Sequence, residues 1–240
     1  MIETLLLRLR ARDEVSAEEE QALRWTVTHS REVPPGTIIV HEGQETETST
    51  LLIEGFMCRY KDLRDGKRQI LEMQVAGDFV DLHGFTLKRL DHSIMALGPC
   101  RIAEAPHSRL RRITEEHAHL TRLLWFTTNL DAAAHRSWVL SLGRRRALPR
   151  LAHLFCELHL RLQLVRRVLA DNSYHLPLTQ ADLSDCLGIT PVHVNRTMQL
   201  LRETGLAEFR SGIVHIHDIA GLHALAEFDP QYLYLSRKPR

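Results

Sequence analysis

The stretch Leu178–Leu206, LTQADLSDCLGITPVHVNRTMQLLRETGL, predicts two short amphipathic helices separated by a glycine. Thr179 is expected to cap the first helix, because Asp182 follows three residues later in a capping-box arrangement. Gly188 can supply the left-handed backbone that ends this helix. Thr190 is expected to cap the second helix, whose first residue is a proline with no N–H to leave unpaired. The pattern is typical of a helix-turn-helix, in which the second helix enters the DNA major groove.

The second helix is predicted to have an apolar inner face and a polar outer face. Val194, Met198 and Leu201 recur at helical spacing and should face inward. The outer face then carries side chains that can address base edges or phosphates: His193, Asn195, Arg196 and Gln199. A two-stranded wing is predicted to follow at Ala207–Phe209 and Ile213–Ile216. A plain helical hairpin within a core is the structural alternative, and the polar face and the wing favour DNA binding over it.

The composition indicates a globular protein and gives no general sign of a nucleic-acid partner. The 240 residues are 44% hydrophobic and 25% charged, and the net charge is only +1. At roughly 100–200 residues per domain, the length predicts two domains. Between residues 136 and 170, however, eight arginines stand against one acid, Glu157. Such a basic segment beside a helix-turn-helix suits phosphate contact, and its alternative is a solvated helix face.

Targeting signals and metal-binding patterns are not expected in this chain. The apolar run Leu5–Leu7 is too short for a signal peptide, and no stretch is long and apolar enough to cross a membrane, so we expect a cytoplasmic protein. The four cysteines form no CxxC pair, which predicts neither a zinc site nor a cysteine-held cluster. Buried free thiols are the expected state of Cys58, Cys100, Cys156 and Cys186.

The N-terminal half changes from a helical to a β-rich texture. Residues 1–31 are predicted to be helical, with Ser16 as a helix cap. From Val33 to Ala105, short β-rich runs alternate with turns, among them an Asp65-Gly66 hairpin signal. The predicted strands are Thr37–His41, Thr50–Ile53, Phe56–Leu63, Gln69–Gln74, Ser93–Leu97 and Arg101–Pro106. Evenly spaced antiparallel strands of this kind are typical of a jelly-roll-like barrel.

A long helix is predicted at His117–Leu142, about 40 Å in length at 1.5 Å per residue. Its stripe of small and apolar residues is typical of a self-association seam, although packing against the barrel would show the same spacing. The stripe consists of Leu120, Leu123, Leu124, Thr127, Leu130, Ala134, Ser137 and Leu140. Gly143 is predicted to end the helix and to act as a hinge. Further helices are predicted at Leu148–Leu169 and Ile219–Ala226.

With a barrel, a long helix and a winged helix-turn-helix in this order, the chain resembles the Crp/Fnr family of bacterial transcription regulators. Besides the helix-turn-helix, the motif GDFVDLHGF at Gly77–Phe85 carries the resemblance. It implies an α+β fold with a cyclic-nucleotide-binding-like β-roll (jelly roll) sensor domain at residues 1–116. A dimerisation helix would occupy residues 117–143, and a winged helix-turn-helix DNA-binding domain residues 144–240. It also implies a homodimer on a two-fold symmetric duplex operator. An activator would in addition need a surface that contacts RNA polymerase.

The resemblance assigns roles to individual residues of the second helix. Arg196 matches an arginine that reads a base, and an arginine–guanine contact contributes about 1–3 kcal/mol of discrimination. Pro191 and Val192 match the other two reading positions, where Pro191 cannot donate and Val192 offers only apolar contact. His193 and Asn195 are expected to substitute for them. The candidate DNA contacts are the base-facing Val192, His193, Asn195, Arg196 and Gln199 and the phosphate-facing Thr179 and Thr190.

The effector position departs from the cAMP-binding members of the family. Leu82 falls where those members have a glutamate that binds the ribose, and His92-Ser93 falls where they have an Arg-Ser pair that binds the phosphate. Polar groups of a buried cyclic nucleotide would be left unpaired at about 1–3 kcal/mol each, so we expect no tight cAMP binding. The candidate effector pocket is Asp81, Leu82, His83, His92 and Ser93, which would suit a small anionic or pH-sensitive site.

Other cofactors and other classes of protein are less well supported by the residues. No cysteine precedes Cys58, so the iron–sulfur cluster of oxygen-sensing members is not expected. His83 falls at the haem-ligating position of a CO-sensing member, but the neighbouring cysteine ligand is replaced, so haem is not expected. A cupin-like metal enzyme would need converging histidines and an acid, whereas His83 and His92 are the nearest pair and His41 is far in sequence. An interaction module that no longer reads DNA is a third hypothesis, and we expect neither a catalytic residue nor a metal site.

Overall fold

The computed structural model describes residues 1–237 of the chain. Two helices come first, α1 (Glu3–Arg12) and α2 (Ala17–Thr26). The Ser16 hydroxyl accepts a hydrogen bond from the Glu19 backbone N–H at 3.2 Å, and the Glu19 carboxylate accepts one from the Ser16 N–H at 2.9 Å. The predicted cap at Ser16 is therefore present. The helical region ends earlier than residue 31, because Val27 is already extended.

Residues 30–106 supply seven strands, which form two antiparallel sheets. The strands are β1 (Ser30–Val33), β2 (Ile38–Val40), β3 (Thr48–Glu54), β4 (Phe56–Asp62), β5 (Arg68–Val75), β6 (Ser93–Ala96) and β7 (Cys100–Pro106). Their order is β1-β7-β3 in one sheet and β2-β6-β4-β5 in the other. Leu52 and Ile102 from the first sheet pack with Met57 and Ile94 from the second. The predicted β-roll is confirmed, and the sequence analysis missed only the largely exposed β1 among these strands.

Three helices follow or interrupt the β-roll: the short α3 (Gly84–Leu87), α4 (His107–Glu116) and the long α5 (Ala118–Arg144). Gly143 lies inside α5, so the prediction that it ends the helix is wrong. The Arg150 guanidinium donates to the Ser141 carbonyl at 3.1 Å and to the Leu142 carbonyl at 2.9 Å. These hydrogen bonds to carbonyls at the helix end offset the low helix propensity of glycine, about 1 kcal/mol. The chain turns instead at Arg145, which is extended.

The predicted stripe of α5 packs largely within the chain. Leu120, Leu123 and Leu124 are buried against α1, α2 and α4, and Ala134 is also buried. The opposite side carries exposed apolar side chains, which we call the open face of α5: Trp125, Ala132 and Val139. Leu140, the last residue of the stripe, is exposed as well. The side chain of Trp125 is 66% exposed and that of Val139 71%. A stripe of apolar residues at 3–4 spacing does not say which surface covers it: packing within the chain accounts for its buried members, and the self-association seam stays a prediction.

The C-terminal part is a three-stranded sheet surrounded by helices. Its elements are α6 (Ala147–Leu164), β8 (Ser173–His175), α7 (Gln180–Leu187), α8 (Pro191–Glu203), β9 (Ala207–Arg210), β10 (Ile213–Ile216), α9 (Ile219–Ala226) and a 3₁₀ turn at Pro230–Leu233. The strand order is β8-β10-β9, so the predicted wing is present and β8 extends it. The helix α6 ends at Leu164 rather than Leu169, and Arg166 beyond it has a left-handed φ of 58°.

The C-terminal part packs directly on the β-roll. Met73 from β5 belongs to the same apolar cluster as Leu154 from α6 and Cys186 from α7. The Gln69 side-chain amide on β5 also donates to the backbone carbonyl of Asp185 at 2.8 Å. The sensor-like roll and the helix-turn-helix therefore share one continuous core.

Candidate functional site

The two helices of the predicted helix-turn-helix are held by their caps and by one glycine. The Thr179 hydroxyl accepts from the Asp182 N–H at 3.1 Å, and the Asp182 carboxylate accepts from the Thr179 N–H at 2.8 Å. Gly188 has the left-handed φ of 62° that ends α7. The Thr190 hydroxyl accepts from the His193 N–H at 3.3 Å and begins α8. Local hydrogen bonds thus fix the turn that sets the orientation of α8 relative to α7.

The inner face of α8 is buried against the rest of the C-terminal part. Val194 and Leu201 are buried and Met198 is half-buried, as their spacing predicts. Thr197 is buried as well, and its hydroxyl donates to the His193 backbone carbonyl at 2.7 Å. This hydrogen bond satisfies the one polar group on the face. The burial fixes the rotation of the helix about its own axis.

The outer face of α8 exposes every residue that the sequence assigns to DNA. His193, Asn195, Arg196 and Gln199 are all exposed, and Val192 is 80% exposed. Within residues 1–237, no hydrogen bond or ion pair involves the Arg196 guanidinium. Arginine is the side chain best suited to bidentate recognition of guanine, so this free group can enter a groove with all its donors available. The Gln199 amide instead donates to the Glu203 carboxylate at 3.0 Å.

One residue that the sequence analysis did not single out contacts the recognition face. Gln180, the first residue of α7, accepts a hydrogen bond from the Asn195 side-chain amide at 2.9 Å. The remaining amide hydrogen and the carbonyl oxygen of Asn195 stay free, and this is the pair that adenine requires. Gln180 directly follows the Thr179 cap, and this position at the start of the first helix was the available signal.

The basic segment at residues 136–170 does not form a continuous phosphate-binding surface. Arg161 is buried and Arg150 is committed to backbone carbonyls of the α5–α6 connection. Arg167 is exposed and donates to the Glu54 carboxylate at 3.2 Å. Phosphate contact therefore stays a prediction only for the exposed arginines of the segment, among them Arg144 and Arg146, because a count of arginines does not show which of them are already paired.

Arg161 joins the C-terminal part to the β-roll through buried ion pairs. Its guanidinium lies 2.9 Å from the Asp78 carboxylate of the roll and 3.1 Å from Glu157 of α6. Glu157 also accepts hydrogen bonds from the Trp138 indole at 3.2 Å and from the Tyr232 hydroxyl at 2.6 Å. We call these five residues the Arg161 network. It fixes α6 against both the roll and α5.

A second buried ion-pair group lies between the roll and α5. The Arg59 guanidinium is 2.7 Å from the Glu72 carboxylate and 2.8 Å from that of Asp131 on α5, and its Nε donates to the Val80 carbonyl. His135 of α5 is 3.3 Å from Glu72. Burial raises the pKa of Glu72 to about 8, although Arg59 opposes this shift. Each of the three guanidinium nitrogens of Arg59 thus makes a hydrogen bond within this chain.

The five residues of the predicted effector pocket do not line one cavity. Asp81 is buried, accepts a hydrogen bond from the Thr50 N–H at 2.5 Å and has its pKa raised to about 7 by burial. The His83 and His92 rings lie 5.2 Å apart. Burial lowers the pKa of His83 to about 3 and also lowers that of His92. Both rings are therefore uncharged at neutral pH, which does not suit an anionic pocket.

Leu82 and His83 face a cleft of about 350 Å³ between α3, α4 and α5. The other residues that line this cleft do not belong to the predicted pocket. Asp81, His92 and Ser93 do not line the cleft. The position that a glutamate occupies in the cAMP-binding members is filled by Leu82, which packs with Leu120 and Leu124. The structure thus separates the predicted pocket into a buried ion-pair region and an apolar cleft.

Among residues 1–237, no group of three or more His, Cys, Asp or Glu side chains is placed to hold a metal ion. All four cysteines are free and buried. In the same part of the chain, no helix has the length and apolarity needed to cross a membrane.

Comparison with known proteins finds relatives that cover most of the chain. A Crp-like helix-turn-helix domain model matches residues 149–225, and a cyclic nucleotide-binding domain model matches residues 30–117. A probable transcriptional activator of Rhizobium leguminosarum bv. viciae is 32% identical over 177 residues, which cover 73% of this chain and 72% of the relative. The nitrogen fixation regulation protein FixK of Bradyrhizobium diazoefficiens is 30% identical over 196 residues, covering 80% of this chain and 79% of FixK.

A solved structure gives the same result for the fold. FixK2 from Bradyrhizobium japonicum superposes with a TM-score of 0.74 at 24% identity and covers 83% of this chain and 96% of its own. The cupin-like alternative is not favoured by any of these similarities. Taken with the identity to FixK and its coverage, they show that the chain belongs to the Crp/Fnr family of DNA-binding transcription regulators.

Proposed function

We propose that this regulator acts as a homodimer and reads a two-fold symmetric duplex with α8. The observation that carries the proposal is the exposed Arg196 guanidinium, which has no partner within residues 1–237, on the outer face of a helix whose inner face is buried. The base-facing residues would be Val192, His193, Asn195, Arg196 and Gln199. The helix caps Thr179 and Thr190 lie at helix N-termini, where phosphate is favoured. Val192 can contact a thymine methyl group.

The chain would divide into a sensor domain at residues 1–116, a dimerisation helix at residues 117–143 and a DNA-binding domain at residues 144–240. Activation of transcription would add a contact with RNA polymerase, which the relatives named activators suggest. The function involves binding and conformational change and no catalytic step. The predicted effector pocket would form a neutral region that couples the roll to α5 and does not bind a nucleotide. Its residues are Asp81, Leu82, His83, His92 and Ser93.

The open face of α5 is the proposed dimer contact. Trp125, Ala132 and Val139 are spaced seven residues apart, and Asn129 and Arg136 lie between them, which is the spacing of a two-stranded coiled coil. We expect Val139→Glu to give a monomer by light scattering, because it places two charges against each other in the seam. Leu169→Glu, at a residue that is 67% exposed and lies outside α5, is the control. A Val139→Glu dimer as stable as the control would contradict this seam.

We expect no tight binding of cAMP. The cation nearest to the roll interior, Arg59, is already paired with Glu72 and Asp131, and Leu82 cannot accept hydrogen bonds from a ribose. A calorimetric titration of the full chain with cAMP should show no saturable heat at micromolar concentration. Micromolar affinity would show instead that the buried ion pairs rearrange to admit the nucleotide.

The experiment that tests the function is selection of random duplex DNA by the purified chain without added ligand. Enrichment of a two-fold symmetric site, with an affinity that falls steeply with salt, is the expected result. Enrichment of an asymmetric site would contradict a two-fold dimer. Retention of no duplex at low salt would contradict DNA reading by the ligand-free form.

A further inference from the structure

The cleft between α3, α4 and α5 has the size and lining of a small-molecule site. Its volume of about 350 Å³ lies at the lower end of the range for ligand pockets, about 300–1,000 Å³. Leu110 of α4 and Leu124 and Trp125 of α5 form an apolar wall. Among the residues that line it there is no lysine, arginine, aspartate or glutamate. A charged molecule would therefore lose its hydration there and gain no opposite charge.

The polar atoms in the cleft are mainly hydrogen-bond acceptors. Four threonines line it, and each hydroxyl already donates its hydrogen to a backbone carbonyl of a preceding residue. The bonds run from Thr86 to His83 at 3.0 Å, from Thr114 to Arg111 at 2.7 Å, from Thr121 to His117 at 3.0 Å and from Thr128 to Trp125 at 2.8 Å. Since a hydroxyl has one hydrogen and two lone pairs, these oxygens can still accept but cannot donate.

His83 adds one buried ring nitrogen to this set. Its Nε2 atom has no hydrogen-bond partner among the described residues, and its ring lies on the wall of the cleft. An unpartnered buried polar atom costs free energy, which a ligand hydrogen bond would recover. Neutral imidazole offers an acceptor at one of its two nitrogens.

We infer that this cleft binds an uncharged, largely apolar molecule that carries a hydrogen-bond donor, such as a ring N–H or a hydroxyl. The cleft joins α3 of the roll to α5, and Trp125 and Thr128 border the open face of α5. An occupant would therefore favour one placement of α5 relative to the roll. Its action as the effector of DNA binding rests on the function proposed above, whereas the binding itself does not.

The test compares two bicyclic molecules of nearly the same shape, indole and benzofuran, by calorimetry on the full chain. Indole has a ring N–H donor, and benzofuran has an oxygen in its place. We expect saturable binding of indole and at least about tenfold weaker binding of benzofuran, because the acceptors of the cleft would be unmatched. Equal affinities, or no binding of either molecule, would overturn the proposal.

Matched variants test whether indole binds in this cleft. Thr121→Val combined with Thr128→Val removes two acceptors at constant shape and should weaken indole binding severalfold while leaving benzofuran unchanged. Thr127→Val is the control, since Thr127 lies on α5, donates to the Leu124 carbonyl at 2.7 Å and does not line the cleft. An equal loss in the control would overturn the assignment to this cleft. The titrations contain no DNA, so a failed DNA selection and a failed indole titration remain distinguishable.

Discussion

Arg196 and Arg161 are the same residue type in two opposite situations. Arg196 stands on the outer face of α8, exposed and with no partner among the described residues. Arg161 is 5% exposed and lies within 3.1 Å of two carboxylates. The first is available for a nucleic acid, and the second holds α6 to the roll. The comparison shows that the pairing of an arginine, rather than the number of arginines in a segment, separates a recognition residue from a structural one.

The largest effect, a loss of folding stability, is expected from replacing the buried Arg161. Arg161→Met would leave the Glu157 carboxylate buried without its cation, while Asp78 would keep its ion pair with Arg8 at 2.7 Å. Removing one partner of a buried ion pair costs about 3–5 kcal/mol, so the free energy of unfolding should fall by about that amount. Urea unfolding followed by far-UV circular dichroism measures it.

Arg167→Met is the matched control. The ion pair of Arg167 with Glu54 is about half exposed on both sides, and such pairs contribute about 0–1 kcal/mol. If both variants lost the same small amount of stability, the Arg161 network would not join the two parts of the molecule as described.

Replacing the exposed Arg196 is expected to change the base preference of DNA binding. Arg196→Ala should lose about 1–3 kcal/mol of discrimination at one base pair in each half-site and should leave the unfolding free energy nearly unchanged. A binding assay on duplexes that vary at single positions measures the loss. Arg202→Ala, at an exposed residue near the end of the same helix, should weaken binding evenly or not at all. Unchanged base preference in Arg196→Ala would remove Arg196 from the reading set.

A pH-dependent effect, confined to acidic conditions, is expected at His153, which packs beside the Arg161 network. Burial lowers its pKa to about 4, and its ring stacks on Tyr232. A lowered pKa means that its contribution to stability is complete above the unfolded value of about 6.5 and is lost as the pH falls towards 4. His153→Phe keeps a ring that cannot protonate. The slope of unfolding free energy against pH should therefore fall by about 1.4 kcal/mol per unit in this window.

His29→Phe supplies the control, since it replaces an exposed histidine and leaves the buried ring of His153 in place. Melting temperatures between pH 4 and 7 give the comparison. Identical slopes in the two variants would mean that His153 is protonated within the folded protein without penalty.

The helix-turn-helix could be predicted almost residue by residue because its signals are local. Thr179, Gly188 and Thr190 act within three or four residues of their own position, and the structure has all three in the expected conformation. The strands of the roll were also recognisable, since alternation and turn residues mark them. Only β1, with one buried residue, had too little pattern to identify.

Features that depend on contacts distant in sequence could not be predicted in the same way. The Arg161 network joins residues up to 154 positions apart, from Asp78 to Tyr232. The surface that covers the stripe of α5 could not be predicted, because Leu120 and Leu123 show the same spacing whether they meet their own chain or a second copy. The cleft was missed for a similar reason, since α4 contributes Leu110 and Thr114 from a segment with no recognisable motif.

The hydrogen bond from Asn195 to Gln180 has a consequence for the entropy of recognition. A side chain that becomes ordered on binding loses about 0.5–1.5 kcal/mol of conformational freedom. Asn195 is already held at 2.9 Å by the first helix of the pair, so most of this loss has occurred before DNA arrives. Arg196 is free and must lose its freedom at the moment of contact. The two neighbouring side chains therefore differ in rigidity. If both read bases as proposed, Asn195 should discriminate sharply at its base pair, and Arg196 should adapt to small changes in groove geometry.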